Sequence, residues 1–211
     1  LRISAAPDTV TEYQGGRPTK ISRVVELTGE FETEPVAIGV RHKAGLDSYK
    51  KALEEAFPRR TIFAVTGSTT SFAQRQRLRK TLKESGNGIL LCTQQSLPSS
   101  VNFEYVNRII IPELHYNNAK MSQFYMRFVR YTSTAWKDIY FVTYGGSIES
   151  NLMQMVLAKE KINLFMKGQD TDLNEIYERS GVDYDLLSLL MYREQDEKGN
   201  FKIRWGKQQI A

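Results

Sequence analysis

Long hydrophobic runs are missing from this 211-residue sequence: no stretch reaches the roughly 20 apolar residues needed to cross a bilayer. The opening "LRISAAPDTV" has neither a basic start nor an apolar h-region, so no secretory signal is expected there. Without an initiator Met, the chain reads as part of a longer one. Cysteine occurs once, as Cys92, which excludes an intramolecular disulfide. One cysteine and two histidines are too few for an ordinary structural zinc site, so no metal site is expected. An intracellular, reducing compartment follows as the expectation, cytoplasmic if the source is bacterial or phage.

Several reaction signatures are absent as well. There is no G-x-x-x-x-G-K-S/T phosphate loop, no G-x-G-x-x-G fingerprint, no G-x-S-x-G elbow and no H-E-x-x-H. These absences argue against a self-sufficient nucleotide hydrolase and against a metalloenzyme. His42 and His115 stand alone, each more readily a packed side chain than a ligand.

What is present is ordinary in bulk, 41% hydrophobic and 25% charged, as in globular proteins. The net charge of +5 favours an anionic partner, nucleic acid first.

Along the chain, strand and helix patterns alternate. A polar lead-in through "GGRPTK" precedes the helical "KISRVVELTG". Short apolar runs "PVAIGV", "TIFAVT", "GILLCT" and "RIIIPE" read as buried strands, followed by "DIYFVTY". Between them, "GLDSYKKALEEAF" carries Leu46, Tyr49, Leu53 and Phe57 at helical spacing, and "SFAQRQRLRKTLKES" is a strongly basic helix. The long helix "SIESNLMQMVLAKEKINLFMKG" comes next. Continuous apolar strands alternating with helices predict an α/β fold: a parallel sheet of about five or six strands, covered on both faces. From about Leu164 the pattern changes. "TDLNEIYERSGVDYDLLSLLMYRE" reads as two short helices and "FKIRW" as a hairpin strand. The expected division is a lead-in 1–19, a main domain 20–167 and a small helical and hairpin extension 168–211. Trp136, Trp205 and the Met-rich long helix are expected in the core.

One stretch does not fit a plain core helix. "QFYMRFVR" sets Gln123, Arg127 and Arg130 at i, i+4 and i+7 on one stripe of an otherwise apolar helix. Arginine is costly to bury unpaired, so this stripe faces solvent, a carboxylate, or a cleft holding an anion.

The flanking segments bear on that choice. The Q-x-x-x-R-x-x-R spacing resembles motif six of superfamily 2 helicases. "LLCTQQSLPSSVNF" resembles the motif five loop, with Thr93, Asn102 and Phe103 in its Thr and Asn–Leu positions. "RIIIPELHYNNAK" resembles the strand and aromatic–Asn turn of Swi/Snf-type ATPases, with Tyr116 in the usual Trp place and Asn117 kept. "FVTYGGSIESNLMQMVLAKEKIN" is similar to that family's strand, turn and bracing helix. Upstream, "VTGSTTSFAQRQRL" and "VAIGVRHKAGLDSYKKAL" sit where a Gly-Ser-Thr turn and motif four belong. Together, over roughly Lys20 to Lys167, these resemble a divergent second RecA-like lobe of a Swi/Snf-like superfamily 2 ATPase. The departures are Met126 where motif six has Gly, Asn118 where Pro is usual, and a "QQSLPSS" loop without glycine. Glycines let backbone amides approach phosphates closely, so their loss bears on nucleic-acid grip and coupling more than on the arginines.

The resemblance implies a motor lobe that acts on ATP and Mg2+ held mainly by a first RecA-like lobe, not by these residues. Arg130 first and Arg127 second would be arginine fingers, with Gln123 positioning nucleotide or arginine. Alone, this chain would be inactive as an ATP hydrolase. Thr93, Gln94, Ser96, Ser100 and Asn102 would contact nucleic-acid backbone, DNA more than RNA. Ser68 and Thr69, after Gly67, read either as a phosphate site at a helix start or as a plain N-cap. Tyr116 and Asn117 would couple nucleotide state to nucleic-acid contact, or simply pack. An alternative stays open: a degenerate stand-alone module that binds nucleic acid or a protein without ATP turnover.

Overall fold

The computed structural model describes residues 19–67, 71–97, 101–115, 117–129, 133, 135–145 and 147–156, with the backbone of 192–195 and 201–204. It divides into two compact units, one holding the residues up to 115 and 119–142, the other 116–118 and those from 143 onward.

In the first unit the expected alternation is found. Helix α1 (Thr19–Gly29) buries Ile21, Val24 and Leu27 along one stripe. Strand β1 (Val36–Val40) is buried at every position, as its unbroken apolar run requires. Helix α2 (Lys43–Ala56) turns Leu46, Tyr49, Ala52 and Leu53 inward. After strand β2 (Ile62–Val65), helix α3 (Phe72–Ser85) opens with a reciprocal cap. The Ser71 N–H donates to Gln74 Oε1 at 2.7 Å, and the Gln74 N–H donates to Ser71 Oγ at 3.3 Å. The helix stops at Gly86, whose φ of 72° is left-handed backbone that glycine adopts without a Cβ penalty. Strands β3 (Ile89–Thr93) and β4 (Arg108–Ile111), helix α4 (Asn118–Tyr125) and strand β5 (Asp138–Phe141) complete the layer.

The five strands pair in parallel in the order β2-β3-β1-β4-β5. Because β1 lies between β3 and β4, the chain leaves β3 on one side of it and re-enters the sheet on the other. That reversal opens a crevice at the carboxyl ends of the strands, where ligands of open α/β sheets sit. Strand alternation assigns the two faces. Val36, Ile38, Val40, Ile89, Leu91 and Ile110 pack in one cluster with the inward residues of α1 and α2. On the other face Gly39 lets α4 come close. A Cβ on Gly39 would overlap the Phe124 ring, which is itself buried.

The amino ends of the strands are clamped by two arginines. Arg60 donates from Nε to Asn87 O at 2.8 Å, and from its two terminal nitrogens to Thr28 O and Glu34 O, both at 3.1 Å. Three carbonyls in three directions suit a planar fork and not an ammonium. Arg108 joins Glu34 at 2.9 Å and also Asp138, while lying over the Phe31 ring at 5.0 Å.

In the second unit, residues 148–156 are helical, the described part of the expected long helix. Ser147 Oγ accepts the Glu149 N–H at 3.2 Å, an N-cap, and Leu152, Met155 and Val156 are buried on one stripe. Strands β6 (Tyr192–Gln195) and β7 (Phe201–Arg204) form an antiparallel hairpin.

Three expectations are corrected. Tyr192–Glu194, read as the end of a helix, lies in strand β6, because pairing with β7 outweighs a weak helical pattern. Trp136, expected in the core, is 94% exposed. The next residue, Lys137, turns inward to Glu104 O and Asn107 Oδ1, and adjacent residues of an extended chain point opposite ways. The helix expected through Arg130 ends at Tyr125 and tightens. The N–H groups of Arg127 and Phe128 reach back three residues, to Phe124 O and Tyr125 O at 3.0 Å. Trp205 lies outside the described residues.

Gly39→Ala is expected to lower stability by about 1–3 kcal/mol, since the fully packed Phe124 ring has nowhere to go. Chemical denaturation measures it, and an unchanged midpoint would refute the close approach of α4 to β1.

Candidate functional site

The residues after β3 and the end of α4 meet at the carboxyl edge of the sheet. Phe103, Phe124 and Phe128 are all buried. Ring centroids lie 6.0 Å apart for Phe103–Phe128 and 5.3 Å apart, edge to face, for Phe124–Phe128. A main-chain bond ties the same two segments: the Phe103 N–H donates to Arg127 O at 2.9 Å. Arg127 therefore sits on a backbone held from both sides, and its side chain is half-buried where a plain surface arginine would be exposed.

A cleft of about 200 Å3 opens there, lined by Gln94, Gln95, Leu97, Lys120, Gln123 and Arg127. Gln95, Lys120 and Gln123 are exposed, and Gln94 and Leu97 are buried. The cleft thus carries two cationic side chains, three carboxamides and no carboxylate. Such a lining suits an anion, with guanidinium and ammonium supplying charge and the amides supplying neutral donors.

Gln94 is anchored from beneath. Its N–H donates to Val40 O at 2.8 Å, and its Nε2 donates to Gly39 O at 3.1 Å and to Glu113 O at 2.6 Å. The ends of β1, β3 and β4 are thereby joined through one side chain. Ser96 Oγ faces Val65 O at 3.0 Å and Thr93 O at 2.7 Å, and Ser96 is buried. The polar groups expected to reach nucleic-acid backbone from Gln94 and Ser96 serve main-chain carbonyls here, so Gln94 lines the cleft with its donors already engaged.

Glu113 completes the bolt. Its Oε2 accepts the N–H groups of Arg41 at 2.7 Å and His42 at 2.9 Å, immediately before α2. Burial pushes its carboxyl above the ordinary carboxylate range, although these two donors and the nearby Lys20 and Arg41 charges pull the other way. His115 is held below its ordinary value by burial first, then by the positive charges of Arg41, Lys120 and His42. Cys92, buried between strands, has its thiol pushed up by desolvation and is unreactive.

Among the other expected site residues, Thr93 is half-buried at the end of β3. Asn102 is half-buried as well, its carbonyl accepting from Arg79 Nε at 2.5 Å. Arg79 also meets Glu104 at 2.7 Å, and its own carbonyl accepts the Tyr105 hydroxyl at 2.8 Å. This arginine of the basic helix holds the segment after β3 in place, whereas Arg77 is exposed. Asn117 is exposed and belongs to the second unit. Ser68, Thr69, Ser100, Tyr116 and Arg130 lie outside the described residues. Sequence reasoning missed Gln95, Lys120 and Glu113. Lys120 was detectable, since 120, 123 and 127 also share a helical stripe. Glu113 showed only as one carboxylate after an apolar strand.

Compared by sequence, the chain matches no family model and no curated protein. Compared by structure, it is similar to the C-terminal part of the Fun30 ATPase domain, with a TM-score of 0.59 and 21% identity. That likeness covers 71% of this chain and 50% of the other. It is similar also to domain 2 of the Mss116p DEAD-box helicase, solved bound to an RNA duplex. There the TM-score is 0.53 and the identity 14%, over 81% of this chain and 68% of the other. The fold is the one these two domains share, a RecA-like α/β fold. The present chain spans half the length of the first of these structures. The Gln123–Arg127 edge lies at the crevice at the strand ends.

Glu113→Gln gives a pH test of the bolt. A carboxyl raised in the folded state contributes stability that is present below its ordinary value and lost as pH rises through the folded value. From about pH 4.5 toward neutrality the parent should therefore lose stability relative to Glu113→Gln, as read from urea midpoints. Parallel curves for the two proteins would show that Glu113 is not buried as described. The His115 titration is common to both and cancels in the difference.

Proposed function

We propose that this chain is the second motor lobe of an ATP-dependent nucleic-acid helicase or translocase, with DNA as the track in preference to RNA. In this reading Arg130 and Arg127 reach the phosphates of ATP, and Gln123 positions the nucleotide or an arginine. The phosphate loop, the catalytic carboxylates and Mg2+ belong to a first lobe, because none of these 211 residues forms a phosphate loop. The reading rests on one observation above the rest: a cleft lined by Gln94 and Gln95 on one side and Gln123 and Arg127 on the other. It brings the two segments that resemble motifs five and six to one anion-suited edge. A planar guanidinium there can bind γ-phosphate oxygens in pairs and offset charge as the terminal phosphoryl group departs. Thr93, Ser100, Asn102, Ser68 and Thr69 are proposed backbone contacts, and Tyr116 and Asn117 the coupling turn.

The second reading, a module that binds without turnover, is favoured by one observation. The donors of Gln94 and Ser96 are engaged internally, in a loop that lacks glycine.

In the motor that joins this lobe to its phosphate-loop lobe, Arg130→Ala should lower nucleic-acid-stimulated kcat for ATP hydrolysis by about 10³-fold or more. Arg127→Ala should lower it by a smaller factor, with folding unchanged by circular dichroism. Full turnover in both variants would leave the module as the better reading.

A further inference from the structure

Lys120 is exposed at the start of α4, lines the cleft, and has no counterpart among the residues that the motif resemblance assigns to ATP or nucleic acid. It stands one turn before Gln123 on α4, Arg127 follows in the turn after Tyr125, and all three line the cleft. The cationic edge of the cleft therefore runs Lys120–Gln123–Arg127, one turn further toward the amino end than the arginine spacing alone suggested. Two further observations describe the field at this edge. His115 is held down by burial and then by three positive groups, Lys120 among them. Glu113, whose carbonyl shares Gln94 with the cleft, turns its carboxylate toward the Arg41 and His42 N–H groups. The lining itself contains no negative side chain.

We propose that Lys120 is a further phosphate-binding residue of this cleft, acting with Arg127 to hold a phosphate group. The two positive side chains attract its anionic oxygens, and the exposed Gln95 and Gln123 carboxamides supply donors to the remaining ones. The inference rests on the reading of the cleft as a phosphate site. The phosphate belongs either to a nucleotide or to a nucleic-acid backbone.

Two titrations of the 211-residue chain distinguish these sources, one with a fluorescent single-stranded DNA oligonucleotide over a range of salt and one with tripolyphosphate. If the cleft holds backbone phosphate, Lys120→Ala reduces the slope of log affinity against log salt by about 0.7. If it holds nucleotide phosphate, Lys120→Ala weakens tripolyphosphate by about tenfold and leaves that slope alone. Lys120→Arg restores binding in either arm, and Lys120→Gln does not. Should Arg127→Ala weaken binding while Lys120→Ala matches the parent, Lys120 is not a ligand and the cleft reading stands. If both variants match the parent, or the parent binds neither probe, the cleft reading fails and Lys120 with it.

Discussion

A sheet whose strands all run the same way is dry on both faces, and each face must be covered by helices that lie almost against it. In this sheet the requirement is met differently on the two sides. Branched residues of β1, β3 and β4 receive α1 and α2. On the other side Gly39 clears space for the Phe124 ring. Once Phe124 and Phe128 are laid down, the remaining polar edge of α4 cannot turn toward the sheet. Lys120, Gln123 and Arg127 are left along the opening at the strand ends. The position of the cationic edge is thus a consequence of packing.

The strand ends are then made rigid by few groups. Gln94 joins three strands through main-chain carbonyls, and Glu113 ties β4 to the turn before α2. Phe103 fixes the Arg127 backbone through one hydrogen bond and one ring contact. If Arg127 meets a phosphate as proposed, such a mounting leaves its side chain less freedom to lose on binding. The same rigidity explains why polar residues in the loop after β3 are buried. They brace the site from behind, and the cleft's charge comes from α4 and the turn after it.

The parallel α/β layer was legible because continuous apolar strands and helical spacing both reflect burial directly. Each strand read from "PVAIGV", "TIFAVT", "GILLCT", "RIIIPE" and "DIYFVTY" is present in the sheet. The pairing of Gln123 with Arg127 at one edge was legible from i, i+4 spacing. Trp136 was misread because hydrophobicity alone does not say which way a residue turns at a strand entry. Gln94 and Ser96 were read as outward donors because a strand-end loop is usually wet, and nothing local reveals that β1 and β4 supply acceptors beneath it. Arg79 looked like one charge among several in "QRQRLRK" until Glu104 and Asn102, more than 20 residues on, proved to be its partners.

Local periodicity by itself determined the five strands of the parallel layer, since burial on both faces is written in residue order. It also determined that two arginines on a greasy segment needed solvent or an anion. Only the tertiary structure decided which carbonyls Gln94 serves and that Glu113 reaches the turn before α2. Those outcomes depend on strands brought side by side from distant parts of the chain, and no local pattern encodes a neighbour that the fold alone supplies.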